Sequence, residues 1–347
     1  MSITRRNLIV TGAAATAALA APRIARAQAL PRNVRLVIGS SSTGGDTYQN
    51  SAIVADALSE HLGINMRVDA VGASEAFRAL GRDSRGTTLM MFHDQSYLQQ
   101  LYGVEGSEDP FAAYTVGQTV AINPGNAYLV AKSSPYQTME DVLAAAANGE
   151  RIRVAIQPGG VSEIGFSAMV NAAKVRAPGS EANIVAVNTG DQADKNQAMW
   201  DGLADVINGS IQANEQFTQL PDDDQRAMRF VWITARPETL QQAPAEGMGN
   251  TTRDDLLRYA SPQTSVTLDG SQDFTFDKEF FFLYNSEMDT AIIDQVDAAL
   301  TEIYAAGAIQ ERQLGSFFIP NFLNFADAQA HLTAKRDTYA EVIAEIS

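Results

Sequence analysis

The stretch Arg35-Leu36-Val37-Ile38-Gly39-Ser40-Ser41-Ser42-Thr43-Gly44-Gly45-Asp46 constrains the fold of this chain more than any other. The apolar run Leu36–Ile38 reads as a buried strand. From Asp46 onward Ile53, Val54, Ala57, Leu58 and Leu62 fall at helical spacing. Between the two lies a loop of hydroxyl and glycine residues. Such a loop carries unpaired backbone N–H groups and hydroxyls to the positive end of a helix, which suits a carboxylate or a phosphate. No Gly-Lys-Ser/Thr follows, so it is not a Walker loop, and the dinucleotide fingerprint is absent. Taken alone, the stretch is equally a strand-to-helix turn of any α/β protein.

The same logic returns further on. Strand Ile152–Ile156 runs into Gln157-Pro158-Gly159-Gly160-Val161-Ser162-Glu163, and a helix follows with Ile164, Ala168, Met169 and Ala172 on its apolar stripe. A third polar turn, Asn188-Thr189-Gly190-Asp191, succeeds strand Ile184–Val187. Strand Thr88–Phe92 ends in His93-Asp94-Gln95, which places polar groups at a strand's C-terminal edge, where α/β proteins bind ligands. Thr138 caps a helix over Met139–Ala147, with Asp141 at its third position. Strands alternating with helices predict mainly parallel sheets. Helices over Thr290–Ala306 and Ala326–Ile346 close the chain.

Residues 1–27 read as an export signal. Arg5 and Arg6 precede an acid-free apolar run, Leu8–Ala21, too short to span a bilayer, and Ala25-Arg26-Ala27 offers a small-x-small cleavage site. The paired arginines suit the twin-arginine route, and an ordinary Sec signal is the alternative. The mature chain then starts near Gln28 in a bacterial periplasm. The signal holds four arginines and no acid, so its removal takes the formal charge from −16 to −20. So acidic a chain is a poor partner for nucleic acid. An anion would have to be held by local N–H groups against the global field. About 320 mature residues exceed one ordinary core, and two domains follow.

Catalysis finds little support. With no cysteine, thiolate zinc sites and thiol nucleophiles are excluded. The three histidines, His61, His93 and His331, show no metal-type spacing, and no Gly-x-Ser-x-Gly elbow occurs. His61 and His331 read as surface residues. Asp222-Asp223-Asp224 reads as a solvated loop rather than a metal site. No catalytic residue, metal or cofactor is expected.

The order of features resembles the periplasmic solute-binding receptors of the tripartite tricarboxylate transporter family, the Bug-type receptors. Val34–Gly45 is similar to the family's strand and Gly-Gly loop. Pro135-Tyr136-Gln137-Thr138-Met139-Glu140-Asp141-Val142-Leu143 is similar to its linker and helix start, and Arg153–Ser162 to its second ligand loop. Gly190 through Trp200-Asp201-Gly202-Leu203-Ala204-Asp205-Val206 is similar to the stretch ending in Gly-x-x-Asp, and Asp294–Glu341 to the helical tail. The chain departs from the family pattern in several places. Thr43 stands where Pro usually precedes Gly-Gly, Tyr48 where an Asp is usual, Val161 where the second loop has Gly, and Gly165 where it has His. Asn188-Thr189 replaces a common Tyr-Lys pair, which disfavours a strongly charged tricarboxylate.

The resemblance implies an α/β, two-lobed type II periplasmic binding protein fold with a ligand cleft between the lobes. The expected first lobe is 28–131 with 276–347, and the second is 132–275. The hinge is expected in the strands near Ala127–Ala131 and Phe280–Tyr284. One wall of the cleft would hold Ser41, Ser42, Thr43, Gly44, Gly45 and Asp46. The facing wall would hold Pro158, Gly159, Gly160, Val161 and Ser162, with Thr189, Gly190 and Asp191 beside them. Tyr48 and Asp94 complete the expected site, although Tyr48 fits a core position as well. The implied function is capture of a small mono- or dicarboxylate by a monomer and its delivery to membrane transporter subunits. A TRAP-type receptor, which relies on an arginine, and a periplasmic hydrolase or transferase are the alternatives.

Overall fold

Val37 packs into one hydrophobic core while Leu36 and Ile38 pack into another, so strand β1 (Asn33–Ile38) is buried on both faces. That double burial is why the sequence shows a continuous apolar run instead of an alternation. The structure, a computed structural model, describes residues 29–346 apart from Ser261 and Ser265. The expected export segment, 1–27, lies outside the described residues.

β1 belongs to a six-stranded sheet with β2 (Asn65–Ala70), β3 (Thr88–His93), β4 (Tyr114–Asn123), β10 (Lys278–Asn285) and β11 (Ile319–Leu323). The order is β11-β4-β10-β3-β1-β2. This sheet and its helices form lobe 1. A five-stranded sheet forms lobe 2 from β5 (Asn126–Ala131), β6 (Ile152–Ile156), β7 (Ile184–Asn188), β8 (Val206–Ser210) and β9 (Met228–Ile233). Its order is β7-β6-β8-β5-β9.

The sheets are mixed rather than mainly parallel. β1 runs parallel to β2 and β3, and β6 runs parallel to β7 and β8. β10 runs antiparallel to β3 and β4, β11 to β4, and β5 to both β8 and β9. β4, β5 and β10 adjoin the passages from lobe to lobe, so they are not bound by the helical crossover that keeps neighbouring strands parallel.

The first passage falls one strand earlier than the sequence suggests. β5 is hydrogen-bonded into the lobe 2 sheet along Asn126–Ala131, so the chain changes lobes at Pro124-Gly125 and not after Ala131. The Phe276 N–H donates to Thr234 O of lobe 2 at 2.7 Å, and β10 begins at Lys278. The segments expected as hinges, Ala127–Ala131 and Phe280–Tyr284, are instead held on both sides within their sheets.

Helices Met139–Ala147 and Thr290–Ala306 occupy the expected residues, and Thr138 and Asp141 form the expected reciprocal cap. The tail contains more than a loop between its long helices. Helix Ala308–Gly315 and edge strand β11 lie there, and Pro320 is tolerated because β11 has a partner on one side alone.

Candidate functional site

The lobes enclose a cleft of about 400 Å³. Lobe 1 contributes the loop after β1, the start of helix Asp46–Leu62, the end of β3 with His93 and Gln95, and Lys278 at the start of β10. Lobe 2 contributes Asn126, Gln157, Val161, the first turn of helix Gln192–Trp200, and the end of β8 through Ser210.

A buried ion pair closes the lobe 1 side. Lys278 Nζ lies 2.6 Å from Asp46 Oδ2, and Asn123 Nδ2 donates to the same oxygen. Asp46 Oδ1 accepts the Thr47 N–H at 2.8 Å. Burial pushes the Asp46 carboxyl upward, but Lys278 and the donated hydrogen bonds outweigh it and hold the group below the usual range. Gly45 precedes the helix without a side-chain cap. His93 Nδ1 accepts the Gln95 N–H, and burial, with Lys278 and Lys335 nearby, holds the ring neutral.

The lobe 2 wall is rich in donors that have no partner. Asn126 and Asn208 are buried, line the cleft, and leave their Nδ2 atoms unbonded. The β5–β8 register places Asn126 opposite Ser210 and Tyr128 opposite Asn208, so the two amides are diagonal neighbours on one face. Lys195 lines the same cleft, is 6% exposed, and its Nζ has no hydrogen-bond or ion-pair partner among the described residues. Burial and the Lys278 charge bring its ammonium down to about 8, against an opposing pull from Asp46 and Asp191.

Of the residues expected at the first wall, Ser41, Ser42, Gly45 and Asp46 line the cleft. Thr43 and Gly44 are exposed outside it, and Tyr48 is half-buried against the lobe 1 core. Gly190 and Asp191 line the opposite wall, whereas Thr189 turns its hydroxyl onto Ile156 O at 2.9 Å. The Asp191 carboxylate caps its helix, accepting from the Ala193 and Asp194 N–H groups.

The second loop contributes Val161 to the lining, but not Pro158, Gly159, Gly160 or Ser162. Three of its N–H groups are consumed internally. Gln157 N donates to Ser162 Oγ at 2.8 Å, Gly159 N to Glu163, and Gly160 N to Gln157 O at 2.9 Å. Gly159 instead faces lobe 1, where an added Cβ would lie 2.5 Å from Val104 and 2.9 Å from Gln99. The glycine at 165 has a packing cause. A Cβ there would sit 2.1 Å from the Tyr128 hydroxyl, which donates to Ser162 O at 2.9 Å.

Asp94 lies behind the cleft wall, fully buried. Its carboxylate accepts from Tyr97 OH at 2.6 Å and from the Glu279 N–H at 2.6 Å, and it pairs with Lys335 at 2.7 Å. Lys335 also reaches Glu279 at 3.1 Å and Asp277 O at 2.7 Å. Burial raises the Asp94 carboxyl despite Lys335, and Glu279 adds to the rise. His331 is exposed, as the sequence suggests, and its ring lies 2.9 Å from Glu279. Among the described residues, no group of three or more histidines and carboxylates has the arrangement of a metal site.

Sequence reasoning overlooked Lys195, Lys278, Asn126 and Asn208. The one signal available was Lys278-Glu279 at the head of the aromatic run Phe280–Phe282, a charged pair opening a fully buried strand.

Two α/β lobes joined by passing strands around a polar cleft define the type II periplasmic binding fold. The periplasmic binding protein BugD has this fold, with a TM-score of 0.66 and 15% identity over 91% of this chain and 97% of that one. R. palustris Rpa4515, solved with adipate, matches at a TM-score of 0.70 and 14% identity, over 91% of this chain and 97% of that one. MatC from Rhodopseudomonas palustris, with bound malate, matches at 0.64 and 14%, over 90% and 99%. No family model matches the sequence, and no curated protein sequence matches it.

Proposed function

We propose that this chain is an extracytoplasmic receptor that captures a small carboxylate and delivers it to a tripartite tricarboxylate-type membrane transporter. The observation that carries the reading is the interlobe cleft, with the buried, unbonded amides of Asn126 and Asn208 beside the Lys195 ammonium on one wall and a helix start without a side-chain cap from Gly45 on the other. Buried donors without acceptors are costly, and a carboxylate supplies the missing acceptors. The fold it shares with BugD and with the adipate- and malate-bound R. palustris proteins supports the same reading. The protein would work as a monomer in the periplasm after cleavage near Ala27. No helix among the described residues is long and apolar enough to cross a membrane.

Binding rather than catalysis is the reading because His93, the histidine at the cleft, bonds to a backbone N–H and not to a hydroxyl or carboxylate. No arginine lines the cleft among the described residues, which separates it from a receptor built on an arginine–carboxylate pair. The test is a thermal-shift screen of the mature protein, stripped of ligand, against mono- and dicarboxylates, aromatic acids and amino acids. A ligand at 100 times its dissociation constant adds about 2.7 kcal/mol. Saturable stabilisation without turnover is the expected result. Product formation, or no stabilisation by any carboxylate, overturns the reading.

A further inference from the structure

We infer that Lys195 is the cation that holds a single ligand carboxylate on the lobe 2 wall, flanked by the Asn126 and Asn208 amides, so that the cleft selects a monoanion. The inference rests on the receptor reading and adds the charge class of the ligand to it.

Three observations carry it. First, Lys195 is buried and lacks a partner among the described residues, although it lies on a helix whose first turn carries Asp191 and Asp194. Those two carboxylates are engaged in the reciprocal cap, taking the N–H groups of Ala193 and Asp194 and of Gly190 and Asp191. A lysine with a purely structural role would be paired, as Lys278 and Lys335 are.

Second, two buried donors on this wall, Asn126 Nδ2 and Asn208 Nδ2, are unbonded and belong to residues at most 2% exposed. An amine and two amide donors match the lone pairs of one carboxylate.

Third, the charges of the cleft leave room for one anion. The other cation of the lining, Lys278, is neutralised by Asp46. A second ligand carboxylate would face Asp46, Asp191 and Asp194 with no cation of its own. The remainder of the ligand is therefore neutral and polar, suited to Ser41, Ser42, Gln95 and Gln157.

A proton linkage follows. The groups acting on Lys195 are Lys278, Asp46 and Asp191, with Asp194 in the same lining, held in the helix cap, and neutral His93 on the far wall. In the free protein the ammonium titrates at about 8, and a bound carboxylate raises it again. Binding takes up a proton at pH 9 and none at pH 6.5, and affinity falls about tenfold between pH 7 and pH 9.

The experiment is titration calorimetry with malonate, succinate and adipate and the monoamide of each. It is run at pH 6.5 and 9 in buffers of different protonation enthalpy. Wild type, Lys195→Met and Lys195→Arg are compared, with circular dichroism confirming that each is folded. The expected result is at least tenfold tighter binding of a monoamide than of its diacid, with proton uptake at pH 9. Lys195→Met loses both, and Lys195→Arg keeps binding without the alkaline loss. Tighter binding of the diacid, unchanged binding by Lys195→Met, or no proton uptake overturns the inference and leaves the receptor reading intact. Failure of every compound to bind wild type also overturns it, while the receptor reading is decided separately by the wider carboxylate screen.

Discussion

Lys278 Nζ and Asp46 Oδ2 meet at 2.6 Å beneath the cleft, joining the first helix of lobe 1 to the strand that re-enters it 232 residues later. Both side chains are nearly inaccessible, at 6% and 10% exposure, so neither charge has water as an alternative partner. Removing one member of such a pair strands the other. Lys278→Met is expected to cost about 3–5 kcal/mol in urea unfolding, and the double variant with Asp46→Asn about half of that or less.

The same pair sets an acid limit. Asp46 is held below its usual value, so its contribution is complete above about 3.8 and is lost as pH falls through the lowered native value. Unfolding free energies measured from pH 5 down to pH 3 should fall more steeply for wild type than for the double variant.

Lys335 faces two carboxylates, Asp94 at 2.7 Å and Glu279 at 3.1 Å, in a region closed to solvent. Lys335→Met leaves both negative charges buried, with the His331 ring and the Asn321 amide as the side chains still hydrogen-bonded to Glu279. The expected loss at pH 7 is about 3–5 kcal/mol. Asp94 is already raised by burial, and without Lys335 it rises further, so a proton relieves the variant as pH falls. Its deficit relative to wild type should shrink between pH 7 and pH 5. A deficit that is constant with pH would show that lost packing, not stranded charge, dominates.

The fold was legible where local pattern and burial agree. Leu36–Ile38 announced a strand because a strand covered on both faces is apolar throughout, and Thr138 with Asp141 announced a helix start by their spacing. β11 was not legible, since Ile319-Pro320-Asn321 offers neither alternation nor a free donor at Pro320 and is held through β4 alone. The passage at Pro124-Gly125 was misplaced because β5 reads as the same kind of buried strand whichever sheet it joins.

The site was legible in part for a related reason. Small-residue loops marked the ends of strands correctly, but sequence does not reveal whether a loop's N–H groups are free. In the second loop Ser162, Glu163 and Gln157 take the N–H groups of Gln157, Gly159 and Gly160. Lys195 looked like any solvated helix lysine, because local spacing shows neither that its helix packs on β5, β6 and β8 nor that Lys278 and Asp46 of the opposite lobe lie near it.

Gly159 is expected to control how closely the lobes approach. Its φ of +69° is left-handed, and a Cβ would lie 2.5 Å from Val104 Cγ2 and 3.0 Å from the Gln99 backbone across the interface. Gly159→Ala should cost about 1–2 kcal/mol in backbone strain and hold the lobes apart. Small-angle scattering should show a larger radius of gyration, and carboxylate-induced stabilisation should weaken. An unchanged radius with normal stabilisation would mean that Val104 and Gln99 yield without moving the lobe.

Lys195 should reveal its role through stability as well as binding. Its ammonium is brought from 10.5 to about 8, so below pH 8 the native state carries a charge that it solvates worse than the unfolded chain does. Lys195→Met is therefore expected to stabilise the ligand-free protein by about 1–3 kcal/mol at pH 7. The sign follows from linkage. Between about 8 and 10.5 the unfolded chain binds the proton more tightly, so wild-type stability recovers with rising pH and the advantage of the variant fades across that window. Urea unfolding at pH 7 and pH 10 measures the difference directly. A lysine kept for the fold would give the opposite sign at pH 7. A gain in stability joined to a loss of binding would mark Lys195 as a charge retained for the ligand at the expense of the fold.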